Sequence, residues 1–470
     1  MTAPDLLDRF AAIVGARHAL RDPAETEPFV IERRGLWPGA TPLVLRPGSV
    51  AEVSAILKLA SKTGTPVVPQ GGNTGLVGGQ VPDMTGSEVV LSLSRLAAIR
   101  EIDTASNAIV AEAGVTLHAL REAADAVGRL FPLSLASQGT AQIGGNLSSN
   151  AGGTGVLAYG NARELCLGVE VVLPTGEVLD DLRKLKKDNT GYDLKNLFIG
   201  AEGTLGVITA AVLKLFPRPK GREVAWVGLR SPEAALSLFS LASERAGASL
   251  TAFELMIGES LAFVLRHVPG AAAPLASAHP WHVLMEISSG RSSEDARGLI
   301  EEILAEGIER GLVGDAVLAA SMAQAEALWK LRESMSDAQR HEGASIKHDI
   351  SVPVAAIPDF IAEAWRAVTA LEPRARLVAF GHMGDGNLHY NVSQPVGVEP
   401  SSFLARYREI NDAVHAVVRG FNGSISAEHG IGRMKRDELI ATAPPVAIDL
   451  MRRIKIAFDP AGIMNPNKVI

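Results

Sequence analysis

The first 220 residues alternate between helical and strand-like patterns of apolar positions. Apolar residues recur every three or four positions over residues 50–60, after a capping box formed by Ser49 and Glu52 and before Gly64. This stretch therefore predicts an amphipathic helix. Runs rich in β-branched residues predict strands near 67–68, 89–93, 108–113, 169–173 and 207–213. The pattern indicates α/β or α+β structure up to residues 217–220, where two prolines predict a domain boundary.

After residue 220, apolar runs typical of strands alternate with stretches in which apolar residues recur at the helical period. Strands are predicted near 224–229, 250–255, 282–287 and 377–380. Helices are predicted near 231–245, 292–306, 402–419 and 445–458. This order favours an antiparallel sheet with helices on one face. The chain as a whole is therefore predicted to be α+β.

Composition places the chain among ordinary globular proteins, because 47% of its 470 residues are hydrophobic and 21% are charged. The formal charge of −7 argues against non-specific nucleic-acid binding, which needs a basic surface. The single cysteine, Cys166, cannot form an internal disulfide and suits a reducing compartment. No apolar run approaches the roughly 18–20 residues of a membrane span, and Asp5 and Asp8 stand where a signal peptide would be basic. A cytoplasmic protein without a membrane span is expected.

Glycine is concentrated in two segments. Residues 71–79 read GGNTGLVGG and residues 139–160 read GTAQIGGNLSSNAGGTGVLAYG, so these 31 residues hold twelve of the 46 glycines. Such loops let backbone amides point together at an anionic group such as a pyrophosphate, with ordinary turns as the alternative interpretation. Residues 153–158 formally satisfy the nicotinamide fingerprint G-x-G-x-x-G/A. They follow no buried strand, so a nicotinamide site is not expected.

Two histidines follow a predicted strand in the last quarter of the chain. A regular strand would place His382 and His389 on opposite faces, but the Gly-Asp-Gly turn between them can bring both imidazoles to one point. Glu428 and His429 follow in the segment SAEHG. Two imidazoles and one carboxylate, with open coordination positions, are typical of a catalytic divalent-metal site. Zinc is the first expectation, with manganese or iron as alternatives.

Four segments together resemble the FAD domain of the vanillyl-alcohol-oxidase (p-cresol methylhydroxylase) type of flavoprotein. They are residues 69–79, 143–160, 187–194 (KDNTGYDL) and 200–206 (GAEGTLG). The resemblance runs from about residue 37 to residue 467. It implies an FAD-binding domain of two subdomains at 1–218, an α+β substrate domain with an antiparallel sheet and the metal site at 219–420, and a C-terminal segment at 421–470 that packs back towards the FAD domain.

The resemblance also assigns the FAD contacts, which lie in both glycine-rich segments, in the GAEGTLG segment and near the C-terminus. Some members attach the flavin to a histidine in the first loop, and because this chain has Asn73 there, non-covalent FAD is expected. The implied FAD-binding residues are Pro69, Gly71, Gly72, Asn73, Thr74, Gly75, Gly78, Ser137, Gly139, Thr140, Gly144, Gly145, Asn146, Asn150, Gly153, Tyr159, Gly160, Glu202, Gly206, Ile208 and Asn465.

Within this type, the C-terminal segments are similar to those of the FAD-dependent D-2-hydroxyacid dehydrogenases. The similarity implies His382, His389 and Glu428 as metal ligands and His429 as the catalytic base. It also implies substrate contacts by Arg332, Ser336, Lys347 and Asn391. Ser336 stands where members acting on D-2-hydroxyglutarate carry threonine, so the hydroxyl is kept.

The resemblance implies oxidation of a D-2-hydroxy acid to the 2-oxo acid, with the C2 hydrogen leaving as hydride to flavin N5. Arg332 and Lys347 together suit a dicarboxylate, D-2-hydroxyglutarate or D-malate. A D-lactate or glycolate dehydrogenase, a carbanion route, and a non-catalytic flavin- or metal-binding subunit remain alternatives. The family also implies a homodimer that passes electrons to electron-transfer flavoprotein or a quinone.

Overall fold

The computed structural model describes residues 4–470, and these residues form seventeen α-helices. In chain order the helices are α1 Pro4–Val14, α2 Pro23–Val30, α3 Val50–Thr63, α4 Leu117–Ala126, α5 Ile143–Ser148, α6 Val156–Tyr159, α7 Lys195–Phe198, α8 Pro232–Ala246, α9 Gly258–His267, α10 Ser293–Glu309, α11 Met322–Glu333, α12 Met335–Ala338, α13 Ile357–Leu371, α14 Pro400–Leu404, α15 Tyr407–Gly420, α16 Arg436–Thr442 and α17 Pro445–Phe458.

Nineteen strands occur in the same described range. In chain order they are β1 Ala19–Leu20, β2 Val44–Leu45, β3 Val67–Gln70, β4 Val89–Ser92, β5 Ile99–Asp103, β6 Ala108–Glu112, β7 Arg129–Leu130, β8 Cys166–Val172, β9 Val178–Asp181, β10 Val207–Lys214, β11 Phe216–Pro217, β12 Gly221–Leu229, β13 Leu250–Ile257, β14 Trp281–Ser289, β15 Val313–Leu318, β16 Ser345–Ile346, β17 Asp349–Ser351, β18 Arg376–His382 and β19 Asn387–Ser393.

The chain divides into two compact units, and each is built from separate stretches of sequence. The first unit contains residues 4–152, Gly160–Arg218 and Glu428–Ile470. The second contains Gly153–Tyr159 and Pro219–Ala427. The chain thus passes from the second unit to the first between Ala427 and Glu428, within the segment that carries Glu428 and His429.

The first unit holds a mostly parallel sheet, an antiparallel sheet and the short two-stranded sheet β11-β7. In the order β1-β2-β4-β3, the last three strands run parallel, and α3 packs its buried side chains against them. The second sheet, β5-β6-β10-β8-β9, is antiparallel throughout. Two sheets of different topology within one unit confirm the predicted two-subdomain organisation.

Local sequence signals explain the helix that covers the parallel sheet. The Ser49 side chain accepts a hydrogen bond from the backbone of Glu52, and the Glu52 carboxylate accepts one from Gly48. Gly64 ends the helix in the left-handed conformation, at φ 66°. Val53, Ile56, Leu57 and Ala60 of the predicted face are fully buried, and Val50 at its start is partly buried. The capping box and the apolar period therefore define α3 as expected.

The second unit is built on one antiparallel sheet in the order β15-β12-β14-β13-β18-β19-β16, with β17 also paired to β19. Side chains of β12 alternate between two cores, with Ala225 and Val227 on one face and Val224 and Trp226 on the other. Helices cover both faces: α8, α10, α13 and α15 on one, and α9, α11 and α12 on the other. The expectation of helices on one face only was wrong, because uninterrupted apolar strands such as Val224–Leu229 must be buried on both sides.

One predicted helix is divided in the structure. The stretch expected to be a helix at 402–419 consists of α14 and α15, separated by Ala405 and Arg406. The Arg406 guanidinium donates to the carbonyl of Leu371 at the end of α13 and to the carboxylate of Glu372. This anchor lies at the break between the two helices. Among the described residues, no helix combines the length and apolar character needed to cross a bilayer.

Candidate active site

The two glycine-rich segments of the first unit meet at their backbones. A β-carbon on Gly72 would lie 1.8 Å from the carbonyl oxygen of Thr140, and one on Gly71 would lie 3.6 Å from the α-carbon of Gly145. No side chain fits at Gly72, so glycine is required there for steric reasons alone. The two segments therefore form one continuous surface of backbone in which amide groups are accessible to a ligand.

Four residues near these loops adopt left-handed backbone conformations although they are not glycines. They are Asn73 (φ 53°), Asn150 (φ 52°), Glu202 (φ 51°) and Asn465 (φ 43°). Asparagine tolerates this region best, whereas glutamate seldom adopts it. Such conformations cluster at ligand-binding sites, where the surrounding structure compensates for the strain.

Several buried amide atoms in this region have no hydrogen-bond partner within the described part of the chain. They are Oδ1 of Asn73, Oε1 of Gln142, Nδ2 of Asn146 and Oδ1 of Asn465. Buried polar atoms are normally paired, and unpaired ones indicate a ligand or water. These atoms and the glycine backbone fit a large polar cofactor with an anionic centre. Gln142 was not predicted, although it stands inside the second glycine-rich segment.

The residues assigned to FAD binding divide between the two units. Gly153 and Tyr159 belong to the second unit, and the remainder belong to the first. Asn465 donates to the carbonyl oxygens of Gly79 (2.9 Å) and Glu202 (2.8 Å), so it connects the C-terminal segment with two predicted FAD-binding segments.

The Glu202 carboxylate holds the loop that follows the predicted base. It accepts hydrogen bonds from the backbone of Ile431 (2.7 Å) and Gly432 (2.8 Å). Desolvation raises the pKa of Glu202, against the opposing effect of these bonds and of the charge on Lys435. Earlier in the same loop, Nε2 of His429 lies 3.9 Å from the Glu428 carboxylate. The structure therefore places His429 and Glu428 side by side in the first unit.

In the second unit, a hairpin brings the predicted histidine pair together. His382 ends β18, a 3₁₀ turn follows at Met383–Asp385, and His389 lies in β19. The register pairs Phe380 with His389, and the two imidazole centroids are 5.9 Å apart. Directly paired residues point to the same side of a sheet, so His389 lies on the same face as Phe380, which packs under α11 and α12. His382 lies two residues after Phe380 and therefore points to that face as well.

A buried carboxylate on the neighbouring strand joins two of the predicted site residues. Glu254 in β13 is paired in register with His382, and only 1% of it is exposed. Its Oε1 lies 2.6 Å from Nδ1 of His382, and its Oε2 accepts a hydrogen bond from Nε of Arg332 (2.8 Å) and forms an ion pair with Nη2 of the same guanidinium (2.7 Å). Burial alone would raise the pKa of Glu254, but the charges of His382 and Arg332 and their hydrogen bonds lower it to about 2. Glu254 is therefore an ionised, acceptor-only group.

Arg332 itself is almost completely enclosed. It is 7% exposed, and its guanidinium carbon lies 4.9 Å from the centroid of Phe380. The edge formed by Nε and Nη2 faces Glu254, so Nη1 is the nitrogen directed away from that carboxylate. The guanidinium is thus held in one plane by an ion pair and an aromatic ring.

The other predicted substrate contacts lie on the adjoining elements. The Lys347 ammonium lies 3.4 Å from the Ser336 hydroxyl. Asn391, two residues after His389 in β19, donates to Oε1 of Gln339 at 3.0 Å. Gln339 is fully buried and also donates to the Ser393 hydroxyl (2.8 Å). Sequence analysis missed Gln339, because a glutamine in a short 3₁₀ helix gives no periodic signal.

Asp349 is a second residue that sequence analysis did not assign. It is paired in register with His389, and its carboxylate lies within 4.8 Å of a ring nitrogen of His389. The side-chain amide of Asn387 donates a hydrogen bond to the carboxylate of Asp349 (3.1 Å). His382, by contrast, directs Nδ1 at Glu254. The donor set of this face, imidazole nitrogen and carboxylate oxygen, has the chemistry that Zn²⁺, Mn²⁺ and Fe²⁺ accept.

Comparison with known proteins identifies the family. Residues 41–181 match the family described as FAD binding domain, and residues 218–469 match FAD linked oxidases, C-terminal domain. D-2-hydroxyglutarate dehydrogenase of Xanthomonas citri pv. viticola is 37% identical over 469 residues, covering 100% of this chain and 97% of that protein. The mitochondrial D-2-hydroxyglutarate dehydrogenase of Bos taurus is 39% identical over 456 residues, covering 96% and 81%.

Solved structures give the same fold. Substrate-bound p-cresol methylhydroxylase superposes with a TM-score of 0.77 at 16% identity, covering 99% of this chain and 96% of that one. At this identity the likeness concerns the fold alone, and it confirms the fold implied by the resemblance to the vanillyl-alcohol-oxidase type of flavoprotein. The chain therefore belongs to the family of FAD-linked oxidases, and it is an FAD-dependent oxidoreductase.

Proposed function

We propose that this enzyme oxidises a D-2-hydroxy dicarboxylate, D-2-hydroxyglutarate or D-malate, to the corresponding 2-oxo acid. The observation that carries the proposal is the sheet face on which His382 and His389 approach each other while Arg332 and His382 share one buried carboxylate. The names of the full-length relatives, which give D-2-hydroxyglutarate as substrate, support the same chemistry.

The cations of this face favour a substrate with two carboxylates. Nη1 of Arg332 is available to one carboxylate, with the guanidinium plane fixed by Glu254 and Phe380. Lys347, beside Ser336, supplies a second positive charge on a flexible stem. Asn391, steadied by Gln339, adds a polar contact. A dicarboxylate can place one carboxylate at each of the two cations, whereas a monocarboxylate can use only one of them.

The catalytic work of the chain itself is proton transfer and positioning. The glycine-rich segments would hold FAD non-covalently, and the cofactor would supply the hydride acceptor for C2 of the substrate. His429 takes the proton of the C2 hydroxyl as general base, and the backbone contacts of Glu202 fix the loop on which it lies. Arg332 and Lys347 hold the carboxylates so that C2 has one orientation.

A divalent cation, zinc first among the candidates, completes the proposal. His382, His389 and Glu428 are its proposed ligands, and Asp349 offers a further oxygen donor beside His389. When bound, the ion supplies a Lewis acid that lowers the pKa of the substrate hydroxyl. Removing it with a chelator should therefore abolish turnover while the flavin stays bound, and restoring zinc or manganese should recover turnover.

A substrate panel tests the proposal directly. The purified protein should contain about one FAD per chain, and its flavin absorbance should bleach anaerobically with D-2-hydroxyglutarate or D-malate. Both enantiomers of each acid are compared with D-lactate and glycolate by kcat/KM in a dye-coupled assay. A higher kcat/KM for an L-isomer or for a monocarboxylate would contradict the substrate assignment. Flavin that none of these acids bleaches would contradict the activity.

We expect the electrons to leave towards electron-transfer flavoprotein or a quinone. Stopped-flow mixing of the reduced enzyme with each acceptor and with air-saturated buffer would compare the three routes. Reoxidation by oxygen as fast as by either acceptor would instead indicate an oxidase.

A further inference from the structure

Glu254 is a carboxylate in the middle of an apolar strand. The strand β13 reads LTAFELMI, and its residues from Leu250 to Met256 are buried. An ionised group in such a place is costly unless every charge and hydrogen-bonding position is matched. Both oxygens of Glu254 are matched by residues of the proposed site: Oε1 by His382 and Oε2 by Arg332.

The contact with His382 decides which ring nitrogen faces away from Glu254. Glu254 forms an ion pair with Arg332 through Oε2, and its Oε1 lies 2.6 Å from Nδ1 of His382, so this geometry assigns Nδ1 as the donor of the contact. In the neutral imidazole, Nε2 is then the unprotonated nitrogen, which is the one that can act as a metal ligand. This is the arrangement in which histidine ligands of metal sites are commonly held by a carboxylate.

The same carboxylate holds Arg332 through two nitrogens, at 2.8 and 2.7 Å. The phenyl ring of Phe380, two residues before His382, lies against the guanidinium. A movement of Glu254 would therefore turn both the imidazole and the guanidinium. No other described carboxylate forms hydrogen bonds to both side chains.

We propose that Glu254 is the positioning residue that couples metal binding to substrate binding. It fixes His382 with Nε2 directed outward as a metal ligand, and it fixes Arg332 with Nη1 directed at a substrate carboxylate. The inference rests on the proposed function, because it presupposes a bound cation and an anionic substrate. Glu254 touches neither the cation nor the substrate, yet it sets the affinity of the enzyme for each of them.

The substitution Glu254→Gln tests this role. A glutamine cannot accept from both partners, because one end of its amide is a donor. Metal affinity is measured on chelator-treated, FAD-loaded protein by zinc titration against a chromogenic chelator, so this readout does not depend on turnover. We expect zinc to bind roughly 10–100-fold more weakly, and KM for the dicarboxylate to rise together with it.

Glu286→Gln is the matched control. Glu286 lies on the same sheet face in β14, pairs with Arg222 (2.6 Å), and accepts from Trp329 (2.9 Å) and Thr251 (2.9 Å). Its hydrogen bonds reach none of the proposed metal ligands or substrate contacts, although burial and, after it, the charge of Glu286 raise the pKa of Tyr159, a predicted FAD contact. Its replacement also breaks a largely buried ion pair, so it reproduces a merely structural effect. Zinc affinity and KM of this variant should stay within about twofold of the wild type, roughly 0.4 kcal/mol.

Two further measurements keep the inference falsifiable. In a His382→Ala background, Glu254→Gln should weaken zinc binding no further, because the contact is already absent. If Glu254→Gln does not fold, Glu254→Asp compared with Glu286→Asp provides the same contrast. Wild-type zinc affinity in the Glu254 variants would overturn the inference and leave the proposed function intact. A wild-type protein that binds no divalent cation would overturn both.

Discussion

At the residue scale, the loop of the candidate base is fixed by backbone contacts. His429 is followed by Gly430, whose φ of 82° lies in the left-handed region. The next two amides donate to Glu202, which itself has a left-handed backbone. The left-handed turn at Gly430, which glycine adopts without strain, and the strained backbone of Glu202 are thus joined by two short hydrogen bonds. This arrangement resists movement of the imidazole.

His429→Ala should lower kcat by roughly a hundredfold or more, because a positioned general base contributes that much to proton transfer. Steady-state kinetics with D-2-hydroxyglutarate would measure the change, and flavin absorbance would show that FAD is retained. His118→Ala is the control, since His118 is exposed in α4 and its imidazole pairs with Glu122 on the same helix. A near-normal kcat in His429→Ala would refute the role of base.

Gly430→Ala should lower kcat without removing FAD. A β-carbon at Gly430 would lie 2.7 Å from Oε1 of Glu202, so the loop must shift, and a shift of about 1 Å can cost on the order of a hundredfold in rate. Gly462→Ala matches the backbone strain, with φ 65° and open space around the new methyl group. Equal kcat in the two variants would show that the loop position is unimportant.

At the scale of elements, helix boundaries were more predictable than strand partners. The capping box at Ser49 and the period of the following apolar residues defined α3 because both signals are local. The pairing of β17 with β19 is not local: three residues, Asp349–Ser351, carry no pattern that selects a partner. The helix α11 was missed because its buried residues include the charged Arg332.

The same distinction applies to the candidate site. His382, His389 and the turn between them are close in sequence, so their approach could be inferred from spacing. Glu254 lies 128 positions from His382, and only the register of β13 with β18 brings them together. The sequence marks Glu254 as unusual, because it is a charged residue inside an apolar strand. That signal does not reveal which residues pair with it.

Glu342 connects three elements of the second unit, and its replacement tests how much that connection stabilises the fold. The carboxylate accepts from Arg376 at the start of β18 (2.6 Å) and contacts Arg266 and His267 at the end of α9. Burial opposes its ionisation, yet these hydrogen bonds lower the pKa of Glu342 to about 2. Glu342→Gln should therefore lower the free energy of unfolding by about 1–3 kcal/mol at pH 7.

The difference in the free energy of unfolding between wild type and Glu342→Gln should become smaller as the pH falls. A carboxylate whose pKa is lower in the folded state stabilises the protein above its unfolded pKa, near 4.5 here. The stabilisation is lost as the pH falls from about 4.5 towards 2. Urea unfolding of wild type and Glu342→Gln at pH 7 and pH 3 should show a smaller gap at pH 3. Glu301→Gln, which breaks an exposed pair with Arg297, should change little at either pH.

At the scale of the whole molecule, the first unit depends on the last residues of the chain. The backbone of Val67 donates to Ile463 (2.8 Å) and accepts from Asn465 (2.8 Å), so the C-terminal segment extends the edge of β3. Lys468 is buried and pairs with Glu88 at 3.2 Å. The sheet beside the first glycine-rich segment is therefore completed by residues nearly 400 positions away.

Asn465→Ala should weaken FAD binding by roughly tenfold or more. It removes both hydrogen bonds that tie Gly79 to Glu202, each worth about 1 kcal/mol net. Flavin release under dilution, followed by fluorescence, would measure the affinity. Asn467→Ala is the control, because Asn467 has a similar backbone (φ 61°) and is exposed. Unchanged flavin release in Asn465→Ala would contradict a role in holding the cofactor segments.

The three-segment construction of the first unit has a consequence for synthesis in the cell. When Arg218 has been translated, the residues that pair with Val67 are still missing, and the roughly 210 residues of Pro219–Ala427 must be added first. At about 5–20 residues per second this takes on the order of 10–40 s. Throughout this interval the edge of β3 and the buried Glu88 lack their partners. The contacts of Val67, Gly79 and Glu88 with the C-terminal segment can therefore form only after Lys468 has been synthesised.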